Sequence, residues 1–190
     1  MSAPERLTTS RLVLRRWRAS DAIPLAALNG DPEVMRFYPR TYGLEETKAR
    51  IGVWMRSFAE RGYAPWAVEI PGVAPCIGVV GPTRITGNLP LAGRMEILWR
   101  LARPYWGKGY AVEAARACLR DAFERLAQDE MLAYTATVNA PSRRVMEKLG
   151  MVEDPVASFL HPALPEGDRL RPHVVYRLAR EDFLSAGAAA

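Results

Sequence analysis

Apolar residues along this chain alternate in some stretches and recur at helical spacing in others. Leu12-Val13-Leu14-Arg15-Arg16-Trp17 reads as a first strand. Ser20 and Asp21 can cap a short helix running to about Leu28, with Gly30 ending it. Asp31-Pro32-Glu33 repeats the start signal, with an aspartate cap, a proline at the first helical position and an early acid. A longer helix is predicted from about Leu44 to Arg61, because Leu44, Thr47, Ile51, Met55 and Phe58 fall on one face and Gly62 stops the run.

From Trp66 the period changes to that of strands. Trp66–Ile70 is strand-like, Pro71-Gly72 turns the chain, and Cys76–Ile85 holds a second branched-residue strand that Gly81-Pro82 is expected to bend. Arg94–Leu101 alternates, with Met95, Ile97, Trp99 and Leu101 on one side. Tyr110–Leu126 is a helix that buries Ala115, Cys118, Leu119, Ala122, Phe123 and Leu126. A strand at Leu132–Val138, a short helix at Ser142–Leu149 stopped by Gly150, a strand near Met151–Glu153 and a last strand at Val174–Leu178 follow. The order β-α-α-β-β-β-α-β-α-β-β predicts a mixed α/β fold, with about seven strands and about four helices around one sheet. Pairing should be antiparallel in the run of three strands and parallel where helices intervene. The expected organisation is a single domain over 1–186, with Gly187–Ala190 as a flexible tail.

Composition narrows the class. The 190 residues are 49% hydrophobic and 25% charged, as in soluble globular chains. No apolar run reaches the roughly 18 residues of a membrane span, and the start Met1–Arg6 lacks a secretory pattern, so a cytoplasmic protein is expected. Cys76 and Cys118 lie far apart and read as buried reduced thiols; with His161 and His173 the only histidines, no metal site is expected. The net charge of +5 is dispersed, which argues against a nucleic-acid stripe but suits an anionic small molecule.

The most informative stretch is Pro104-Tyr105-Trp106-Gly107-Lys108-Gly109-Tyr110-Ala111, between a predicted strand and a predicted helix. Small residues at 107, 109 and 111 let the backbone turn and approach a ligand. The first amides of the following helix lack internal partners and, with the helix dipole, form an anion site to which Lys108 adds charge. The Gly-Lys-Ser/Thr ending of a Walker loop is missing, and Gly-x-Gly-x-Ala is not the dinucleotide fingerprint.

These residues resemble the Gcn5-related N-acetyltransferase superfamily, and within it the branch typified by ribosomal-protein alanine acetyltransferases. Tyr105–Ala111 matches that branch's Tyr-Trp-Gly-Lys-Gly-Tyr-Ala loop, with Trp106 where the wider superfamily has Arg or Gln. Thr9–Trp17 followed by Asp21 resembles the family's opening strand and helix. Glu96-Ile97-Leu98-Trp99 stands where the branch has Glu-Ile-Gly-Tyr. Asn139-Ala140-Pro141-Ser142, then Glu147–Met151, resembles its Asn-x-x-Ser segment ending in Glu-Lys-Leu-Gly-Phe.

The resemblance implies acetyl-CoA as co-substrate, an amine acceptor and no metal. It also implies a splay between the strands at 95–101 and 132–138. Pantetheine would pair with backbone near Trp99 to Leu101, the pyrophosphate would rest on the amides of Gly107, Lys108, Gly109, Tyr110 and Ala111, and Trp106 would join them in the cofactor-binding loop. Glu96 is the candidate general base, directly or through a water; the alternative is an exposed or ion-paired glutamate, with Arg100 as a candidate partner. Asn139 either caps its helix or holds the pantetheine arm, and both uses are compatible. Many relatives protonate the thiolate with a tyrosine one turn after Ser142, but this chain has Met146 there, which leaves Ser142 as the candidate. Arg143 and Arg144 are either phosphate contacts or solvated surface. Trp54, Trp66, Phe37 and Tyr38 are either acceptor-pocket or core residues. The connection from Phe159 to His173 is long enough to serve a function, with neither histidine assigned a role. A non-catalytic acyl-CoA sensor on the same fold is the alternative, and a homodimer is compatible with either.

Overall fold

The computed structural model describes residues 4–188. Strands β1 (Arg6–Thr8) and β2 (Val13–Arg15) precede helices α1 (Ala22–Gly30) and α2 (Leu44–Arg61). Strands β3 (Trp66–Ile70), β4 (Ala74–Arg84) and β5 (Met95–Leu101) follow, then α3 (Tyr110–Glu124), β6 (Glu130–Ala136), α4 (Ala140–Lys148), β7 (Val152–Leu160), β8 (Pro172–Ala179) and α5 (Arg180–Ala188). The eight strands are ordered β1-β2-β3-β4-β5-β6-β8-β7, in a mixed sheet where β5–β6 is parallel and β1–β2, β2–β3, β3–β4, β6–β8 and β7–β8 are antiparallel. The chain divides into two compact units, one of residues up to Thr83 with Leu98–Cys118, the other of Arg84–Ile97 with residues from Leu119 onward.

In the first unit, α1 and α2 pack together, and Asn29 Nδ2 donates to Thr47 Oγ1 at 2.9 Å between them. The buried face of α2 is Thr47, Ile51, Trp54 and Phe58, with Gly62 in the left-handed conformation at its end. Trp54 stacks on Trp17 at 4.9 Å, and Phe58 lies 4.5 Å from Trp66. Arg15 is buried, but Asp21 takes two of its N–H groups at 2.8 Å each and Glu69 a third at 2.7 Å, so the charge is neutralised where it sits. Gly78 is needed for close packing, since a Cβ there would lie 2.2 Å from the carbonyl oxygen of Arg100.

In the second unit, β6 pairs with β8 from Glu130 to Ala136, whereas its parallel register with β5 is Glu96 with Leu132. Phe123 of α3 packs against Phe183 of α5 at 5.2 Å. Met131, Ala133, Val174 and Tyr176 are buried on one sheet face, and Leu132 and Val175 on the other.

Several expectations need correction. No helix starts at Asp31-Pro32-Glu33: Asp31 ends α1, its carboxylate accepts from Glu33 N, and the turn is spent before Pro39. Asp21 does not cap α1; its carboxylate is held by Arg15 and by the N–H of Arg18. Met55 is 47% exposed and Trp54 takes its place on the inner face of α2, so Trp54 and Trp66 are core residues. Strand β4 runs unbroken through Gly81-Pro82, and the bare Cα of Gly81 admits Pro65 and Trp66. Leu126 lies beyond the end of α3 and is half-buried. The strand near Met151 runs on to Leu160, so the connection to β8 is shorter than expected. Strand β1 and helix α5 were not anticipated. Gly187 and Ala188 end α5 rather than a tail, while Ala189 and Ala190 lie outside the described residues.

Candidate active site

The loop between β5 and α3 takes the shape its glycines allow. Arg103–Tyr105 form a single 3-10 turn, and Gly107 and Gly109 adopt φ of 72° and 80°, a region that side chains disfavour. The first intrahelical bond of α3 is Glu113 N to Gly109 O at 3.0 Å. The N–H groups of Tyr110, Ala111 and Val112 therefore precede any helical acceptor, and Gly109 has no side chain with which to cap them. A Cβ on Gly107 would meet nothing within 4 Å, so the loop is open on that side. Lys108 is exposed, with its ammonium 5.8 Å from the Tyr105 ring.

The loop is held from outside. Arg11 donates through Nη1 to the carbonyl of Lys108 at 3.0 Å and through Nε to Glu113 at 2.6 Å, and its guanidinium lies 4.7 Å from the Tyr110 ring. The other Glu113 oxygen accepts from Thr9 Oγ1 at 2.6 Å, Arg11 N at 2.9 Å and Ser10 Oγ at 3.1 Å. Partial burial pushes the Glu113 carboxyl up, but these hydrogen bonds outweigh it and hold the group below its usual range. An acid in the first turn of α3 would repel an anion at the same helix end, and this clasp neutralises it.

Ala102 N donates to Ile77 O at 2.9 Å. Antiparallel alternation then turns the backbone groups of Arg100 toward β4 and those of Trp99 and Leu101 away from it. The carbonyl of Leu101 is taken by the indole N–H of Trp106 at 2.6 Å, which leaves its amide and both backbone groups of Trp99 as the strand-like surface. Trp106 thus fastens the loop to the end of β5. Arg100 has no hydrogen-bond or ion-pair partner among the described residues; its Nε is buried and its guanidinium lies 5.0 Å from the Tyr38 ring.

In the second unit, Glu96 lies on β5 between buried Met95 and Ile97. Its carboxyl has no hydrogen-bond or ion-pair partner among the described residues, so the pairing with Arg100 that was an alternative does not form. Burial alone pushes its pKa up to about 7. A carboxyl of that pKa can take a proton near neutrality, which is the property a general base needs.

Asn139 uses both ends of its carboxamide internally. Oδ1 accepts from Ser142 N at 3.3 Å, which caps α4, and Nδ2 donates to Thr135 Oγ1 at 2.8 Å. Ser142 is half-buried in the first turn of α4, and its hydroxyl has no bonded partner among the described residues. Met146, one turn on, is 1% exposed and fills the core. Arg143 is engaged with Glu153 at 3.0 Å and Tyr176 at 3.3 Å, whereas Arg144 is exposed. Cys76 and Cys118 are buried and not joined in a disulfide, and burial pushes Cys76 up to about 11.

Trp106–Ala111, Trp99 and Leu101 fall together in the first unit, and Glu96, Asn139 and Ser142 in the second. Sequence reasoning missed Arg11 and Glu113 as a pair. The signal was an acid in the first turn of a helix whose N-terminus was already assigned to an anion. Among the described residues, no cluster of three or more His, Cys, Asp or Glu side chains is placed to hold a metal ion, and no helix is long and apolar enough to cross a membrane.

Comparison with known proteins agrees with this geometry. Residues 11–152 match the family model described as an acetyltransferase (GNAT) domain. The chain is 34% identical over 154 residues to the Bacillus subtilis protein YkkB, covering 80% of this chain and 87% of that one. It is 31% identical over 169 residues to the FsC-acetyl coenzyme A-N(2)-transacetylase of Aspergillus fumigatus, covering 83% and 68%. An acetyltransferase of the GNAT family from Bacillus anthracis superposes with a TM-score of 0.76 at 26% identity, covering 93% of this chain and 99% of that chain.

Proposed function

The chain belongs to the GNAT acetyltransferase family and is an acetyltransferase, and from that premise we propose that it transfers acetyl from acetyl-CoA to a primary amine by direct attack, as one acyltransferase domain over residues 1–186. The observation that carries this reading is the open N-terminus of α3 behind Gly107-Lys108-Gly109, where three amides and a lysine suit a diphosphate. The name of the Aspergillus relative, with acetyl coenzyme A as donor and a nitrogen as acceptor, supports the same pair of substrates.

In this reading the loop amides and Lys108 hold the diphosphate, and the backbone of Trp99 with the Leu101 amide holds the pantetheine arm. The Asn139 carboxamide keeps one N–H beyond its bond to Thr135, which suits a polar ligand group. Glu96 takes a proton from the amine nitrogen as its lone pair adds to the thioester carbonyl. A C–N bond forms, the C–S bond breaks, and the sulfur leaves as thiolate or takes the Ser142 hydroxyl proton, which solvent replaces. Neither cysteine competes as a nucleophile, because both are buried and Cys76 stays a thiol at neutral pH. Cysteines without a disulfide suit a cytoplasmic setting.

The test is a thiol-release assay with acetyl-CoA against a mixed panel of amines and peptides, beside a thermal melt with and without acetyl-CoA. Stabilisation together with amine-dependent release of CoA is the expected result. No stabilisation by any acyl-CoA would overturn the reading.

A further inference from the structure

Strand register in the second unit places a set of rings on the face that carries Glu96. Glu96 stands opposite Leu132 of β6, and Tyr134 follows two residues along on the same side. Across β6–β8, Tyr134 faces Val175 and Ala136 faces His173; across β7–β8, Phe159 faces His173. Ile85, Leu91, Leu132 and Val175 form a buried floor, on which Leu89, Tyr134 and Phe159 pack. Phe159 and His173 stack at 5.3 Å and 18°, His161 lies 5.1 Å from His173, and Tyr134 lies 5.8 Å from Phe159.

The two imidazoles are neutral at pH 7, because burial foremost lowers both below the usual histidine range. Their tautomers are opposite. His173 Nδ1 donates to the carbonyl of Arg171 at 3.1 Å, so its Nε2 accepts. His161 Nδ1 accepts from Ala163 N at 3.3 Å, so its Nε2 donates. Two other carboxylates of this face in the second unit are paired. Arg177 holds Glu130 at 3.0 Å and also Asp154, and Arg94 holds Glu130. Glu96 is left as the unpaired carboxyl of that face, so a second ammonium would find no counter-charge there.

We propose that this ring-lined shelf seats the body of the acceptor, and that the acceptor is a single amine carried on a flat aromatic ring system, not a polyamine or an amino sugar. The inference rests on the acetyl-transfer reading, in which Glu96 receives the amine proton. An aromatic body would stack on Phe159 and His173, with the two Nε2 positions offering one acceptor and one donor to a polar substituent.

The chain has two histidines, so its imidazole C–H signals in proton NMR report on this shelf alone. The experiment titrates the full chain with tryptamine, phenethylamine, butylamine and spermidine without acetyl-CoA, then measures kcat/KM for each with acetyl-CoA. The aromatic amines should move both imidazole signals saturably, and their kcat/KM should exceed that of butylamine about five- to tenfold. Phe159→Leu, which keeps apolar volume, and His173→Ala should each bring that ratio toward one. Preference for spermidine, unmoved imidazole signals with the aromatic amines, or an unchanged ratio in Phe159→Leu would overturn the proposal while leaving acetyl transfer intact. Saturable imidazole shifts with no CoA release from any amine would support the shelf and remove the catalytic reading instead.

Discussion

Helices α3 and α4 begin in opposite ways, and the units that hold their first turns divide along the same line. At α4, Asn139 caps the amide of Ser142, while two side-chain groups of the same unit, the Ser142 hydroxyl and the Glu96 carboxyl, are left without partners among the described residues. At α3, the side chains are bound to one another through Arg11, Glu113, Thr9 and Ser10, while the backbone amides stay open. Open amides on a rigid support suit a fixed anion and cannot move protons. Open side chains suit proton transfer. On the proposed function, the open amides of the first unit suit the donor's anion, and the open side chains of the second suit proton transfer.

The sharpest way to break that division is Glu96→Gln, which should lower kcat/KM by about 10²- to 10⁴-fold with acetyl-CoA binding retained. In the wild type, kcat/KM should rise with pH through about 7, since the carboxyl must ionise to act as base. The linkage has a definite sign. A carboxyl whose native pKa is raised contributes stability that is full at acid pH and lost as the pH rises to about 7, so Glu96→Gln should melt higher than wild type at pH 8. A variant with unchanged rate and melt would return Glu96 to the role of a plain strand residue.

Gly109→Trp should weaken acetyl-CoA binding by about 100-fold or more, because φ of 80° strains any side chain and the indole would cover the amides. Its melt without ligand separates loss of the site from loss of the fold. Arg11→Ala should raise the KM for acetyl-CoA by about tenfold with little change in kcat, by leaving Glu113 uncompensated beside the anion. Adding Glu113→Gln should then recover part of the loss. A double variant no better than Arg11→Ala would mean that Arg11 acts on the ligand directly. Asn139→Ala should cost about 1 kcal/mol of stability through the lost cap, read from denaturant midpoints. A rise in acetyl-CoA KM beyond that would show the carboxamide also serving the ligand.

Local signals carried most of the fold. Gly62 and Gly150 end α2 and α4 as their positions predict, and Tyr105–Ala111 leads from β5 into the first turn of α3, as read. Failures came where tertiary demands overrode a local rule. Asp31-Pro32-Glu33 has every mark of a helix start, but Asp31 serves as the end of α1. Trp54 and Met55 are adjacent, and helical periodicity alone does not choose between them; the stacking with Trp17 does. Within the site, Gly107 and Gly109 were legible because only a few backbone shapes require glycine. The Arg11–Glu113 clasp was not, since its partners lie 102 positions apart. The ring cluster was hidden for a similar reason: Phe159 to His173 reads as a connection in the sequence, whereas register sets Phe159 against His173.

The most direct measurement compares acetyl-CoA with S-acetylpantetheine, which keeps the thioester arm and lacks the diphosphate, by titration calorimetry on the full chain. Saturable binding of acetyl-CoA, with S-acetylpantetheine weaker by about 100-fold or more, is the predicted result. Equal affinity for the two would contradict the assignment of the open α3 amides to the diphosphate.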